Sequence, residues 1–254
     1  MKTLDQIAIS CGTDKSSLTH NYTNRYAMYF EDIREEKINI LEIGVKLGRS
    51  LKMWKEYFHN AEITGVDIDN LKKFEEPRIH IEQGDQKDTD FLKKINDLYG
   101  PFDIIIDDGS HINEDIQKSF DCLFPLLKPG GLYIVEDLHA CYWDSHGGKN
   151  PVFINTLKNT IDWVNGSGKS GSGDIQNDEN DSMYMQKNSI KMNWWEKNIE
   201  FLHLYRSIVF IKKYSDDTRY KTLQRKIGKI VSIYSSPNEI FRRIKNAVKR
   251  IIRK

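Results

Sequence analysis

Five short apolar segments, each running out into acidic or polar residues, constrain this chain more than any other feature. They are "INILEIGV" (38–45), "EITGVDID" (62–69), "RIHIEQGD" (78–85), "FDIIIDDGSH" (102–111) and "LYIVEDLH" (132–139). Each is short, apolar and rich in β-branched residues, so each reads as a strand. Between them lie "GRSLKMWKEYF" (48–58), with Leu51, Trp54 and Phe58 at helical spacing, then "DTDFLKKINDLYG" (88–100) and "NEDIQKSFDCLFPLL" (113–127). The segment 88–100 opens on acids and closes on Gly100 before Pro101, which is helix punctuation. Another helix is expected near 22–35. Strands apolar on both faces belong to parallel sheets buried between helix layers. The alternation therefore predicts an α/β fold, a doubly wound and mostly parallel sheet. Two apolar runs in "NIEFLHLYRSIVFIKKY" (198–214) suit an antiparallel pair closing its edge.

Ligands of such sheets sit beyond the carboxyl ends of the strands. Here those ends carry Glu42, Gly44, Asp67, Asp69, Asp85, Asp107, Asp108, Glu136 and Asp137. In the turn "LEIGVKLGRS", Gly44 and Gly48 would let backbone approach a ligand closely. Lys46 stands where the dinucleotide fingerprint needs its second glycine, which argues against a dehydrogenase. Asp67 ends the second strand, 23 residues beyond Gly44, where an acid can accept the ribose hydroxyls of a nucleoside. A helix cap is the alternative use for it.

The fourth and fifth strands end in Asp108 and in Glu136 and Asp137. Adjacent parallel strands lie about 4.8 Å apart, so these three carboxylates would repel one another if unpaired. A divalent cation removes that repulsion, and an oxygen-only set favours Mg²⁺ or Mn²⁺. His111, three residues past Asp108, can face the same space, and an imidazole titrating near pH 6.5 suits a general base. The competing readings are that Asp108 caps the following helix, that Glu136 pairs with a lysine, and that His111 is structural. His139 and Tyr142 follow the same strand and are candidates for contact with an acceptor.

Charge divides the chain unevenly. Residues 215–254 hold 12 of the 38 Lys and Arg but 3 of the 37 Asp and Glu, a net of +9, leaving −8 on residues 1–214. A body of that sign is not built to wrap nucleic acid. The tail sequence "NEIFRRIKNAVKRIIRK" sets Ile240, Ile244, Val248 and Ile251 among Arg and Lys, as in a basic amphipathic helix. It suits peripheral contact with an anionic membrane surface, or docking on the acidic body or on another copy in a homo-oligomer. Two domains are expected, 1–214 as the catalytic body and 215–254 as the tail. "NGSGKSGSGD" (165–174) reads as a flexible segment or a lid. The N-terminus lacks a signal-peptide core, no apolar run is long enough to span a membrane, and Cys11, Cys122 and Cys141 lack metal-ligand spacing. A reducing cytoplasm is the expected location.

The segments "LEIGVKLGRSLKMW", "GVDID", "QGDQ", "FDIIIDDGSH" and "PLLKPGGLYIVEDLH", with the lead-in "GTDKSSLTHNYTNRYAMYF", resemble class I S-adenosylmethionine-dependent methyltransferases. More narrowly they resemble the metal-dependent sugar O-methyltransferases of the macrocin and mycinamicin type, akin to the cephalosporin-hydroxylase-like group. The resemblance implies a Rossmann-like seven-stranded sheet of order 3-2-1-4-5-7-6, helices on both faces, and a Mg²⁺ or Mn²⁺ site at Asp108, Glu136 and Asp137. It implies that Glu42, Gly44 and Ser50 line the methionine portion of S-adenosylmethionine and that Asp67 holds its ribose. Asp85 and Gln86 would flank the adenine, Asp107 would sit beside the methyl group, and Tyr22 and Lys15 would close over the cofactor. Relatives often carry Thr-Ser-Tyr after the histidine matching His139, where this chain has Ala140, Cys141 and Tyr142. The expected reaction is methyl transfer to an oxygen of a small-molecule acceptor: a sugar, a sugar-nucleotide or a phosphate-bearing polysaccharide precursor. In it Asp108 would act through the metal and His111 would remove the proton. A hydroxylase-like metal enzyme on the same scaffold and a non-catalytic cofactor-binding module are the alternatives.

Overall fold

A computed structural model describes residues 1–165 and 193–215. The Gly/Ser segment beyond Asn165 and the basic tail beyond Ser215 lie outside the described residues. The five expected strands form as β1 (Asn39–Ile43), β2 (Glu62–Asp67), β3 (Ile79–Gln83), β4 (Ile104–Asp107) and β5 (Leu132–Val135), each ending earlier than its apolar segment. The hairpin β6 (Ile199–Tyr205) and β7 (Ile208–Lys213) completes a seven-stranded sheet of order β3-β2-β1-β4-β5-β7-β6. β7 runs antiparallel to both β5 and β6, and the other pairings are parallel.

Side chains alternate across the sheet and feed two cores. On one face Ile40, Ile63, Ile104 and Ile106 meet α1 (Leu4–Cys11), α2 (Thr23–Phe30) and α3 (Arg49–Tyr57) through Tyr26, Phe30 and Trp54. On the other, Leu41, Ile105, Tyr133 and Val209 meet α4 (Thr89–Tyr99), α5 (Asn113–Leu123) and α6 (Val152–Val164) through Leu92, Phe120 and Phe153. A short α7 (Trp194–Asn198) leads into β6.

Three helices go beyond the sequence expectations, α1, α6 and the short α7. In α1, the Thr3 hydroxyl accepts from Gln6 N–H while the Gln6 side chain accepts from Thr3 N–H, a capping box that closes at Gly12 in the left-handed conformation. In α6, the buried Phe153, Ile154, Leu157 and Thr160 repeat at helical spacing. The expected helix at 22–35 is shorter, ending at Phe30 in a turn of 3-10 helix.

Candidate active site

Register places the strand ends level with one another. Ile43 pairs with Asp107, and Asp107 with Val135, so Gly44, Asp108 and Glu136 emerge side by side. Gly44 sits at φ +94°, and a Cβ there would come within 2.1 Å of the Asp108 carbonyl oxygen. Its glycine is thus required by the close approach of two strand ends.

Past these ends opens a cleft of about 850 Å³. Gly44, Ser50, Asp67, Asp85 and Gln86, expected as cofactor contacts, line it, and so do Asp108, His111 and Asp137. Asp67 anchors the glycine turn: Oδ2 accepts from the N–H groups of Val45 (2.8 Å) and Lys46 (3.0 Å), and Oδ1 from Asp69 N–H (3.0 Å). A carboxylate has about four acceptor sites, so one remains for a ligand hydroxyl rather than two.

Four of the expected residues do not line the cleft in this structure. Glu42 is fully buried beneath the cleft, where Trp54 Nε1 donates to its Oε2 at 2.7 Å. Asp107 faces the opposite core and accepts from Ser119 and Tyr133 hydroxyls and from Gln86 Nε2. Burial drives its carboxyl pKa up to about 6 against those donors. Tyr22 does not cover the cleft. Its hydroxyl donates to Asp137 Oδ1 at 2.7 Å, and it lines a second cavity. Glu136 accepts from Tyr26 and from Lys15, so its carboxylate is held inside rather than grouped with the two aspartates.

Lys15, expected over the cofactor, lies beneath these groups. Its Nζ is 2.5 Å from Asp108 Oδ2, 2.8 Å from Glu136 Oε1 and 3.4 Å from Glu42 Oε1. Burial would lower the lysine pKa, but the three carboxylates raise it well above the ordinary value. Burial raises Glu136 well above the carboxylate range, and the Asp108 charge adds to that against the pull of Lys15. One ammonium therefore faces three carboxylates, and Glu42 Oε1 has no hydrogen-bond partner.

The donor set open to the cleft is Asp108, His111 and Asp137, whose ligand atoms lie within 4.8 Å of one another. His111 Nε2 is 3.9 Å from Asp108 Oδ1 and 3.7 Å from Asp137 Oδ2. Both His111 and Asp137 adopt positive φ, at 57° and 53°. Two carboxylates and an imidazole nitrogen suit a hard or borderline divalent cation.

A second cavity, of about 1,090 Å³, is lined by α2 and the residues before it, α6, the β6–β7 hairpin and the 3-10 turn Leu138–Tyr142. His139 and Tyr142 line it. The His139 ring bonds Ser207 Oγ, and Tyr22 reaches from this wall to Asp137.

Residues 41–138 match a family model described as a methyltransferase domain. The mycinamicin VI 2''-O-methyltransferase of Micromonospora griseorubida is 36% identical over 227 residues, covering 84% of this chain and 53% of that protein. The demethylmacrocin O-methyltransferase of Streptomyces fradiae is 37% identical over 208 residues, covering 79% and 50%. A solved structure of the MycE methyltransferase from the mycinamycin pathway, in complex with Mg and SAH, superposes with a TM-score of 0.73 at 34% identity, covering 85% of this chain and 55% of that one. The fold is that of this methyltransferase, and the chain spans about half the length of the relatives it matches.

Proposed function

We propose that this chain, a relative of the mycinamicin- and macrocin-type sugar O-methyltransferases, transfers the methyl group of S-adenosylmethionine to an oxygen of a small sugar-type acceptor with the help of a divalent cation. The observation that supports the reading is spatial: one potential ligand group, Asp108, His111 and Asp137, lines a nucleoside-sized cleft, and Tyr22, on the wall of a second cavity, donates its hydroxyl to Asp137. Bound there, the cofactor would supply an electrophilic methyl group, and Mg²⁺ or Mn²⁺ the positive charge that orients an acceptor hydroxyl and lowers its pKa.

The chain's own part is to position and to move a proton. Asp67 and the N–H groups it fixes shape the ribose end of the cleft, while Ser50, Asp85 and Gln86 border the rest. Asp108 and Asp137 would hold the cation. Lys15 steadies Asp108 from beneath, and Tyr22 steadies Asp137 from the side. His111 Nε2 would accept the hydroxyl proton, leaving the oxygen aligned for in-line attack. Glu136, whose Oε1 accepts from Lys15 and Tyr26, is the further ligand that the family resemblance implies. The finer identity of the acceptor, a sugar-nucleotide or a polysaccharide precursor, belongs to the same proposal.

The test uses labelled S-adenosylmethionine, a panel of sugars and sugar-nucleotides, and Mg²⁺ or chelator. Transfer is expected with the cation and is lost on chelation. His111→Ala should bind S-adenosylhomocysteine and Mn²⁺ normally but turn over about 10²- to 10⁴-fold more slowly. Loss of Mn²⁺ from His111→Ala would make this residue a ligand rather than a base. Chelator-resistant transfer would end the cation reading.

A further inference from the structure

The two cavities differ in charge. Seven aspartates line the cleft: Asp14, Asp67, Asp69, Asp85, Asp108, Asp115 and Asp137. The second cavity has no acid among its lining residues, yet Arg25, Lys158 and Arg206 line it together with His20 and His139. The three permanent cations arrive from α2, α6 and the hairpin turn, segments far apart in the chain. None of the three pairs with a carboxylate among the described residues. Arg25 rests its guanidinium on the Tyr205 ring, 4.9 Å from the centroid, and Lys158 reaches only the Asn155 side chain, at 3.4 Å. Between these cations the wall is apolar, with Ile154, Leu157, Ile161 and Leu204. Three exposed cations that line one partly apolar cavity, without a carboxylate partner among the described residues, suit an anion attached to a larger body. Arginine in particular takes phosphate through paired N–H groups.

We infer that the second cavity binds the methyl acceptor by a phosphate-type anion, held by Arg25, Lys158 and Arg206, so that the acceptor is a phosphate ester rather than a neutral glycoside. The inference rests on the methyltransferase reading for the word acceptor, but not for the anion site. It also separates the two substrates electrostatically: a cationic sulfonium on the acidic side and an anion on the basic side.

The experiment measures binding to the full chain, saturated with S-adenosylhomocysteine and free of divalent metal, by calorimetry. UDP is compared with uridine, and glucose 1-phosphate with glucose. At least one phosphate ester should bind about tenfold or more tightly than its uncharged partner, and less tightly as salt rises. Arg25→Gln and Arg206→Gln should each weaken that ester roughly tenfold while leaving affinity for S-adenosylhomocysteine unchanged. Equal binding of charged and uncharged partners would overturn the proposal, as would competition between the ester and S-adenosylhomocysteine or indifference to both arginine variants. If S-adenosylhomocysteine fails to bind while ester affinity follows the arginines, the methyltransferase reading fails and the anion site stands.

Discussion

Asp107 and Glu136 each stand one residue before an acid of quite different character. Both are buried and held by protein donors, Asp107 by Ser119, Tyr133 and Gln86, and Glu136, through Oε1, by Tyr26 and Lys15. Asp108 and Asp137 follow them, with side chains 22% and 20% exposed and turned toward His111. For Asp107 the difference comes from position in the strand: the last paired residue of β4 is still clamped between β1 and β5, so its side chain enters a core layer. Glu136 already stands one residue past the last pair of β5, level with Asp108, and is held inward by its hydrogen bonds from Tyr26 and Lys15. Each run of two acids therefore divides into an inner member held by protein donors and an outer member open to the cleft, for a different reason in each strand.

This contrast is broken most severely at Lys15. Lys15→Met would leave Glu42 and Glu136 buried with no counter-charge, so a loss of about 3–5 kcal/mol is expected in urea unfolding. A loss below about 1 kcal/mol would mean that the inner acids are neutral without it.

A smaller effect comes from the other inner acid. The Asp107 pKa is raised from 3.8 to about 6, so between those values the folded chain binds more protons than the unfolded chain. Its stabilising contribution is complete below about pH 4 and is lost as pH rises through about 6, a change of roughly 3 kcal/mol. Stability measured against pH in wild type and Asp107→Asn should show that slope only in the wild type. Identical slopes would remove the burial argument.

The smallest effect on the fold is expected at the outer acids. Asp137→Asn keeps an acceptor for the Tyr22 hydroxyl, so its unfolding free energy should stay within about 1 kcal/mol of wild type. A larger loss would place Asp137 with the inner pair.

The sheet was legible in the sequence because parallel strands buried on both faces leave uninterrupted apolar runs. Its order came with the family resemblance. Asp108, Asp137 and His111 were legible as a group because they follow strands that any such sheet brings together. The inward turn of Glu136 was not, although its pairing with a lysine was one of the readings open at that stage. Lys15 lies 93 residues from Asp108 and 121 from Glu136, in a polar lead-in without strand periodicity, so only packing joins them. The second cavity was hidden for the same reason, since Arg25, Lys158 and Arg206 share no local pattern. The α1 capping box could have been found from Thr3 and Gln6, and α6 from the spacing of Phe153, Leu157 and Thr160.

In the proposed mechanism the outer acids, Asp108 and Asp137, hold a divalent cation at the cleft. Mn²⁺ titration by electron paramagnetic resonance, on protein saturated with S-adenosylhomocysteine, tests it most directly. Wild type should take up one ion per chain. Asp137→Asn should bind it at least roughly tenfold more weakly, and Asp69→Asn, a cleft acid outside the group, should bind it as wild type does. Equal affinity in wild type and Asp137→Asn, or an equal loss in Asp69→Asn, would contradict the account.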